Sequence, residues 1–431
     1  MLSQFYIYNY IKNLFNKLKA SEFFKNISLQ VFTTAIAQVI PVAAMPLLTR
    51  LYSEQEFGIY ATFLAVAMVL QVAVGGRYQF AIVVPKRDKD ALDLFTLSVL
   101  LTIAYFVISF VVVLFLVSNQ VTIFNISKVY LLVPFYVLFF GIWSSVSNYS
   151  IRRKKFRYNA FSKIYQSLTY VISGLIFGAL SVKYYGLISA RVGGLMMSSF
   201  YLWKKVIINF RSIKVKDLLE VGVKYLDYPK YGILPALMNT IAMQSIIFVF
   251  THFYSKSDLG YFGLTNLVLN APLALIGQSF RDIFYQRIAY LINNKFYKKG
   301  YAFFKRSALG LFLIGLPISL LIIFLGEEIF SIIFGDNWSR SGYFGSIMAF
   351  SFLIRLIASP LSSVFNAIGR VKLVAVWQSV YFFSTLCLMY LCIYMFNVKV
   401  ESLLIIYVIH EVIIYSIYFI MQLTTLKKLC I

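Results

Sequence analysis

Residues 91–117 read ALDLFTLSVLLTIAYFVISFVVVLFLV, and after Asp93 this stretch contains no charged side chain. It exceeds the roughly 20 apolar residues that a helix needs to cross a bilayer. The whole chain of 431 residues has the same character, since 60% of them are hydrophobic and 13% are charged, against about 25% charged residues in soluble domains. Such a chain lacks the polar surface that a soluble protein needs. This excludes a soluble enzyme, a secreted disulfide scaffold and a disordered chain.

Apolar segments of this kind recur along the sequence, and the hydrophobic residues suffice for about twelve spans of roughly 20 residues each. We therefore predict an all-α integral membrane protein with twelve transmembrane helices. The long second and third spans could include interfacial turns. The predicted spans are residues 27–48, 57–84, 91–117, 129–150, 164–182, 186–203, 230–254, 259–284, 304–326, 343–366, 373–396 and 402–423.

The 40 Lys and Arg residues are divided unequally between the two sides of this arrangement. Thirty fall in the tails, in the even-numbered loops or, for Lys230, Lys305 and Arg306, within the first three residues of the span that follows such a loop. Six fall in the odd-numbered loops, and four lie deeper inside spans. This asymmetry is a positive-inside signal and predicts that both termini are cytoplasmic. Basic stretches such as residues 152–155 then face anionic lipid headgroups. The net charge of +24 is thereby explained without a nucleic-acid partner.

The predicted organisation has a tail on each side of two membrane bundles. The segments are a cytoplasmic tail at 1–26, a six-helix bundle at 27–203, a cytoplasmic loop at 204–229, a second six-helix bundle at 230–423 and a cytoplasmic tail at 424–431. Within the loop, residues 215–226 have helical periodicity and are predicted to lie along the membrane surface. The first tail could be either an interfacial helix or a flexible basic segment.

Two short segments suggest that the bundles are repeats. Thr49–Gly58 (TRLYSEQEFG) and Thr251–Gly260 (THFYSKSDLG) share Thr, Tyr, Ser and Gly at a constant offset of 202 residues, with an acid at Glu56 and Asp258. Each segment links the first and second span of a six-span set. Because six is an even number, both bundles enter the membrane from the cytoplasm and run in the same direction. This predicts a pseudo-two-fold axis along the membrane normal, a design used by transporters. The alternative is that a turn simply prefers Ser, an acid and Gly at a helix start.

Four motifs resemble the Wzx-type polysaccharide flippases of the multidrug/oligosaccharidyl-lipid/polysaccharide exporter superfamily. They are Pro46–Gly58 (PLLTRLYSEQEFG), Arg77–Pro85 (RYQFAIVVP), Asp227–Lys230 (DYPK) and Asn270–Gly277 (NAPLALIG). The likeness covers most of the chain, although the C-terminal third matches only in pattern. Gln79 stands where the family usually has an acid, so the charge pair that the family pattern implies lacks its acid here.

The resemblance implies two six-helix bundles that face each other around a central cavity. It also implies the substrate, an oligosaccharide repeat unit linked to undecaprenyl pyrophosphate, which is flipped from the cytoplasmic to the outer leaflet of the bacterial cytoplasmic membrane. The product would serve O-antigen (lipopolysaccharide) or capsular polysaccharide biosynthesis. The expected partners are membrane lipids, H⁺ or Na⁺ as a coupling ion, a polysaccharide polymerase and a chain-length regulator. The protein would then be a secondary transporter and not an enzyme.

Four of the arginines inside predicted spans are candidates for binding substrate phosphate: Arg77, Arg191, Arg281 and Arg355. An arginine at the bilayer centre costs about 2.5–3.5 kcal/mol on insertion scales, so each should face protein or water. Arg77 and Arg281 occupy nearly equivalent places in the two repeats, which suits a site between the bundles. Since both lie near the cytoplasmic ends of their spans, snorkelling to headgroups is the alternative for each. A guanidinium group matches phosphate oxygens in a bidentate manner and never loses its charge.

Arg355 lies near the middle of the tenth span, where snorkelling is hardest. Ser351 and Ser359 stand four residues before and after it, so they share roughly its face of the helix. In the eighth span, Asn266 and Asn270 form a similar polar side. We predict that these polar residues line the substrate path together with the arginine.

Glu411 and Asp282 are the candidate coupling acids inside predicted spans, and Glu411 could couple transport to H⁺ or Na⁺. A structural carboxylate with satisfied hydrogen bonds is the alternative. The chain has no G-x-x-x-x-G-K-[ST] motif, and its two histidines, His252 and His410, belong to no metal-ligand cluster. We therefore predict no metal and no cofactor.

Two other functions compete with the flippase. A membrane polysaccharide polymerase or ligase should carry a larger external loop with convergent acids, histidines or arginines, whereas the external loops predicted here are short. A multidrug cation exporter coupled to H⁺ or Na⁺, from the same superfamily, should prefer buried carboxylates. Here four candidate arginines stand against two candidate acids, which favours an anionic substrate.

Overall fold

The computed structural model describes residues 22–119, 128–206 and 214–430, and in these ranges the regular elements are helices. Short 3₁₀ or π turns at Val74–Phe80, Lys128–Leu131, Asp336–Trp338 and Leu391–Met395 join or extend them. The helices are α1 (Glu22–Leu51), α2 (Glu54–Leu70), α3 (Asp88–Ser118), α4 (Leu132–Arg152), α5 (Phe156–Ala179), α6 (Tyr184–Lys205), α7 (Val215–Lys224), α8 (Asp227–Phe253), α9 (Lys256–Asn293), α10 (Tyr297–Phe334), α11 (Ser339–Leu361), α12 (Val364–Ile368), α13 (Val371–Tyr390) and α14 (Val400–Lys427).

Each of the twelve predicted spans corresponds to a helical segment in the described ranges, which confirms the predicted twelve-helix membrane fold. Nine of these helices are long and apolar enough to cross a bilayer, and the bent pair of α2 and Val74–Phe80 adds a tenth. The remaining two, α5 and α6, are less apolar because they carry residues such as Lys163 and Arg191. Helices α9 and α10 have 38 residues each. At 1.5 Å per residue each is about 57 Å long, more than a bilayer needs.

The ends of the chain differ from the predicted segments. Helix α1 begins at Glu22, before the predicted start at residue 27. Most of the predicted N-terminal tail falls on residues 1–21, which lie outside the described part of the chain. The predicted boundary of the C-terminal tail falls inside α14, which continues to Lys427. The division of the chain into domains at residues 203 and 230 stays a prediction.

The second span is broken, in agreement with the interfacial turn that its length suggested. Helix α2 ends at Leu70, and the 3₁₀ turn Val74–Phe80 leaves it at an angle of 64°. Gly75, Gly76 and Arg77 have φ angles of 61°, 57° and 59°, which is the left-handed region. For the two glycines this conformation costs almost no free energy. For an L-residue such as arginine it costs about 1–2 kcal/mol.

The two repeat segments adopt the same local structure. Ser53 caps the N-terminus of α2, where its hydroxyl accepts from the amide N–H of Glu56. Ser255 caps α9 in the same way and accepts from the amide N–H of Asp258. The preference for Ser and an acid at a helix start therefore operates in both copies, and the copies also have equivalent positions in the fold.

Helices α2 and α9 cross at the glycines of the repeat. A Cβ atom at Gly58 would overlap the carbonyl oxygen of Lys256, and one at Gly260 would overlap that of Glu54. Gly58 and Gly260 are 202 residues apart, and so are Glu54 and Lys256. A two-fold axis between the bundles therefore converts each of these contacts into the other. Only glycine at both positions lets the two backbones approach this closely. The crossing therefore lies on the pseudo-two-fold axis that relates the two six-helix bundles.

The bundles also meet at the side of the molecule that holds these repeat segments, called here the outer side because it is predicted to face outwards. The indole N–H of Trp338 donates to the carbonyl of Thr49 at 3.1 Å, and the hydroxyl of Thr49 donates to the carbonyl of Phe334 at 3.0 Å. The hydroxyl groups of Thr62 on α2 and Thr251 on α8 lie 2.9 Å apart. These contacts join the N-terminal bundle to the C-terminal bundle on the outer side.

The opposite side, called here the basic side and predicted to be cytoplasmic, carries the amphipathic helix α7. Its Leu218 and Val221 are buried, and its Lys224 donates to Asp90 of α3 at 2.8 Å. This hydrogen bond raises the pKa of the lysine. Val215 and Leu219 are exposed on the other face. The predicted helix is confirmed, and its exposed apolar face has the character of a membrane-surface segment.

Candidate functional site

A cavity of about 250 Å³ lies between the bundles. Its walls come from α2 on one side and from α8, α9, α11, α13 and α14 on the other. Most of the lining is apolar, with a few polar groups that converge on one wall. The lining residues are Phe57, Tyr60, Ala61, Leu64, Met68, Met243, Gln244, Ile246, Ile247, Phe262, Gly263, Asn266, Leu267, Asn270, Met348, Arg355, Tyr381 and Tyr407.

Arg355 is the charged group of this wall, and it is paired with a carboxylate. Its Nη1 lies 3.3 Å from Oε2 of Glu411, and its side chain is 15% exposed whereas that of Glu411 is buried. The predicted cavity-facing arginine and the predicted membrane-embedded acid are therefore two halves of one ion pair. While Arg355 is paired with Glu411, the two side chains together add no net charge to the cavity wall. The contact is single and long compared with a bidentate Arg–carboxylate pair, whose N–O distances are about 2.7–2.9 Å.

Two tyrosines hold the carboxylate from the other side. The hydroxyl of Tyr381 on α13 donates to Oε1 of Glu411 at 2.7 Å, and that of Tyr407 on α14 donates to the same atom at 3.1 Å. Both tyrosines also line the cavity. Glu411 is thus satisfied by three donors, which fits the structural alternative for this residue and leaves its coupling role a prediction.

The asparagines of the eighth span lie where the sequence predicted, on the cavity wall beside Arg355. The amide of Asn270 donates to the carbonyl of Asn266 at 2.7 Å, and its Oδ1 lies 3.5 Å from Nη2 of Arg355. The guanidinium group therefore stands between a carboxylate on α14 and an amide oxygen on α9. It bridges helices of the C-terminal bundle at the surface that faces the N-terminal bundle.

Ser351 and Ser359 do not line this cavity, in contrast to the predicted stripe. Ser351 is buried and donates to the carbonyl of Met348 within its own helix at 3.0 Å, whereas Ser359 is exposed. Four residues turn an α-helix by about 400°, so each serine is rotated by about 40° from Arg355, in opposite directions. Each serine is also displaced by about 6 Å along the helix axis, and neither side chain is part of the cavity lining.

Arg191 lies behind the cavity wall in the N-terminal bundle. Its guanidinium carbon is 5.6 Å from the ring centroid of Tyr170, and Tyr60 and Tyr136 also surround it. Tyr60 separates it from the cavity, because this tyrosine itself lines the wall. Its Nε is buried and finds no hydrogen-bond acceptor among the described residues.

Arg77 and Arg281 also lie outside the central cavity. Arg77 lines a separate, open groove between the turn Val74–Phe80 and α8. Arg281 is exposed on α9 and lines neither the cavity nor this groove. The side chain of Asp282 is outside the described part of the structure. The four arginines thus occupy four environments, because equivalent positions in the two repeats need not have equivalent neighbours.

The sequence analysis missed Tyr381 and Tyr407. Tyr407 stands four residues before Glu411, so helical spacing alone could have placed its hydroxyl near the carboxylate. Tyr381 is on a different helix and is one of 32 tyrosines in the chain, so no sequence signal distinguishes it. In the part of the chain that the structure describes, no three His, Cys, Asp or Glu side chains come together as metal ligands.

Several solved structures of membrane transporters share this fold. The inward-facing conformation of a multidrug resistance MATE family transporter of the MOP superfamily matches with a TM-score of 0.68 and 12% identity, over 93% of this chain and 95% of its own. The lipid II flippase MurJ, in an inward closed conformation, matches with a TM-score of 0.70 and 16% identity, over 92% of this chain and 89% of its own. A MOP superfamily transporter from Pyrococcus furiosus matches with a TM-score of 0.62 and 11% identity, over 94% of this chain and 96% of its own. The chain therefore has the fold of MOP superfamily membrane transporters.

The family follows from the sequence itself. Residues 47–342 match the family described as polysaccharide biosynthesis protein, and the chain belongs to that family. No curated protein sequence matches the chain. The fold and the connection with polysaccharide biosynthesis that the resemblance implied are thereby confirmed.

Proposed function

We propose that the protein flips oligosaccharide repeat units linked to undecaprenyl pyrophosphate from the cytoplasmic to the outer leaflet of the bacterial cytoplasmic membrane. The observation that carries the proposal is the cavity between the bundles, with Arg355 and two asparagines on one wall. A pyrophosphate cannot cross hydrocarbon unaccompanied, and a guanidinium group is the side chain that best matches its oxygens. Asparagine and tyrosine groups on the same wall suit sugar hydroxyls. The O-antigen and capsular pathways are both compatible with this chemistry.

In this proposal Arg355 exchanges one anion for another. While Glu411 is ionised it occupies the guanidinium, and the substrate phosphate competes with it for the same group. Protonation of Glu411, or binding of Na⁺ to it, frees Arg355 for the substrate. By thermodynamic linkage, substrate binding must then favour the neutralised carboxylate by the same factor. This is the proposed role of Glu411 in ion coupling, and Asp282 is the second candidate.

The membrane potential supplies a further driving force. A pyrophosphate diester carries two negative charges, and each charge moved outward across an inside-negative potential yields about 2.3 kcal/mol per 100 mV. Flipping of one substrate would therefore gain about 4.6 kcal/mol per 100 mV. In vesicles we expect an ionophore to abolish transport and ATP depletion to leave it intact while the gradient is held. Transport that follows ATP instead would require a partner ATPase.

Transport requires the bundles to part on the outer side, where Trp338, Thr49 and the glycine crossing now join them. We propose that the two bundles rock relative to each other so that these contacts open, as the repeat design of such transporters allows. Both termini are proposed to be cytoplasmic, with bundles at residues 27–203 and 230–423. A polysaccharide polymerase and a chain-length regulator are the proposed protein partners that would receive the flipped unit.

A multidrug cation exporter is the second candidate, and the MATE transporters of this fold are the observation behind it. A cation needs an uncompensated carboxylate in the cavity. Here Glu411 is already neutralised by Arg355, so the wall offers a cation no net attraction. The pair offers an anion no net attraction either, so the anionic substrate is favoured by the family's connection with polysaccharide biosynthesis and by the proposed neutralisation of Glu411.

The test in cells measures surface glycan per folded transporter for variants of Arg355. Arg355→Ala also leaves Glu411 buried without its partner, so export is compared per folded transporter. On that measure Arg355→Ala should abolish export, and Arg355→Lys, which keeps the charge, should retain part of it. The loss of one charge-assisted contact is worth roughly 1.5–3 kcal/mol, or a ten- to hundredfold weaker hold on the pyrophosphate. Normal export by Arg355→Ala would remove this residue from the site.

A further inference from the structure

Arg77 adopts a backbone conformation that its own side chain disfavours. Its φ of 59° follows those of Gly75 and Gly76 in a run of three left-handed residues. Glycine would occupy this position without strain, and asparagine with little. The neighbours fix the turn, since Val74 is fully buried and the hydroxyl of Tyr78 donates to the carbonyl of Gly222 at 2.8 Å. Strained residues of this kind cluster at functional sites, so the arginine needs an explanation beyond folding.

The strained turn presents Arg77 to an open groove of about 360 Å³ between the two bundles. The turn forms one wall, where the guanidinium carbon lies 4.9 Å from the ring centroid of Phe80. Helix α8 forms the other wall with Asp227, Tyr228, Tyr231 and Gly232. The groove is distinct from the central cavity, since the two share no lining residue.

Gly232 makes room for the guanidinium group. A Cβ atom at this position would lie 3.1 Å from Nε of Arg77 and 3.2 Å from its Cδ. A methyl group there would already require the arginine side chain to shift by a few tenths of an ångström, and a branched side chain would require a larger shift. The glycine of one bundle and the arginine of the other form a single fitted contact.

The positive charge of Arg77 has no carboxylate within salt-bridge distance among the described residues. The other charged groups near it are Asp227, which lines the same groove, and the exposed Lys230, whose Nζ lies 5.1 Å from the ring centroid of Tyr231. No described residue accepts a hydrogen bond from the guanidinium group of Arg77. Its N–H donors are therefore available to an anion. Phosphate is the anion whose geometry this fork matches in a bidentate manner.

The position of α7 places the groove at the level of lipid headgroups. Val215, Leu219 and Val223 form an exposed apolar stripe on this helix, which would lie at the boundary between headgroups and acyl chains. The hydrogen bond from the hydroxyl of Tyr78 to the carbonyl of Gly222 connects the strained turn directly to α7. Apart from the carboxylate of Asp227 in the groove itself, phosphate groups of the adjacent leaflet are therefore the anions within reach of Arg77.

We propose that this groove is a docking site for the pyrophosphate of the polyprenyl-linked substrate, which binds Arg77 before it reaches the central cavity. The inference rests on the proposed function and adds a second, separate anion site to it. Since the walls belong to different bundles, the bound headgroup contacts both at the mouth of the cleft between them. Tyr228 and Tyr231 offer aromatic faces to the first sugar. An ordinary phospholipid carries the same phosphate chemistry and is the competing source.

The experiment measures the binding of radiolabelled farnesyl diphosphate to the full-length protein in phosphatidylcholine nanodiscs. Arg77→Gly removes the charge and the backbone strain together, so it should unfold at the same temperature as the wild type or above it. Its affinity for the probe should fall ten- to hundredfold, and Arg77→Lys should be intermediate. Gly232→Val keeps the charge and fills the space of the guanidinium, and it should weaken binding similarly.

Two matched controls separate the groove from general effects. Arg287 is exposed and lies 5.4 Å from the ring centroid of Tyr290, three residues on, as Arg77 does with Phe80. Arg287→Gln should bind the probe like the wild type. Gly193 lies in helix α6, and a Cβ atom added there would meet no atom within 4 Å, so Gly193→Val controls for a valine in a helix.

The proposal is overturned if Arg77→Gly binds the probe with wild-type affinity. It is also overturned if phosphatidylglycerol displaces the probe at equal concentration, since the groove would then be a phospholipid site. The proposed function is judged separately. If the wild type flips the lipid-linked substrate and Arg77→Gly does so with an unchanged KM, the docking site fails and the flippase stands. If the wild type flips nothing, the flippase itself fails.

Discussion

The ion pair between Arg355 and Glu411 predicts a specific pattern of stability in a double-mutant cycle. At 3.3 Å and an effective dielectric constant of 20, two unit charges attract by about 5 kcal/mol. Removal of one member leaves the other buried without a partner, which typically costs 3–5 kcal/mol. Arg355→Met and Glu411→Gln should each lower the free energy of unfolding by this amount. In the double variant no buried charge remains. Its free energy of unfolding should therefore fall by less than that of either single variant.

Glu411→Gln is the informative substitution because the new amide keeps an oxygen for Tyr381 and Tyr407. The change then removes the charge and leaves both hydroxyl donors satisfied. The free energies of unfolding are measured by SDS titration of the protein in mixed micelles, with near-UV circular dichroism as the signal. Ser346, exposed on the same helix as Arg355, supplies a control variant, Ser346→Ala, which should be neutral.

The cycle would refute the pairing if the losses of the two single variants simply added in the double variant. Additivity is the behaviour of distant, independent sites. In that case Arg355 would be stabilised by some other group, and the proposed exchange between Glu411 and substrate phosphate would lose its basis.

Two further predictions concern topology and conformational change. Reporter fusions after Lys155 and Lys428 should report the cytoplasm and one after Asp336 the outside, and a single exchanged side would break the twelve-span topology. Cysteines at Thr62 and Thr251, whose hydroxyl groups are 2.9 Å apart, should form a disulfide in a background without the native cysteines. The oxidised protein should stop transporting and recover with reductant, while either single cysteine has no effect. Transport by the fully cross-linked protein would show that the bundles need not part there.

The fold could be predicted from the sequence because each of its determinants is local or periodic. A run such as residues 91–117 specifies a span by itself, and Ser53 and Ser255 mark two equivalent helix starts. The break in the second span is a partial exception. The pair Gly75–Gly76 permits the left-handed turn, but nothing in the sequence requires Arg77 to adopt it as well.

The site was predicted in part. Arg355, Asn266 and Asn270 lie on one cavity wall as expected, because polar groups in apolar helices seldom face lipid. The pairing of Arg355 with Glu411 could not be predicted, since it depends on the rotation of α11 and α14 about their axes. A rotation of about 40° also separates Ser351 and Ser359 from the cavity. Arg191 was expected in the same site, and the intervening ring of Tyr60 depends on packing that no sequence pattern records.

The central claim is that this protein moves a lipid-linked pyrophosphate across a bilayer. The most direct test reconstitutes the purified protein into liposomes that carry a polyprenyl pyrophosphate with a fluorescent sugar headgroup, and follows its accessibility to an external quencher. We predict that the protein accelerates headgroup translocation over empty liposomes, and that Arg355→Gln reduces this rate at least tenfold while Arg287→Gln does not. Translocation no faster than in empty liposomes, or equal rates for the wild type and Arg355→Gln, would contradict the account.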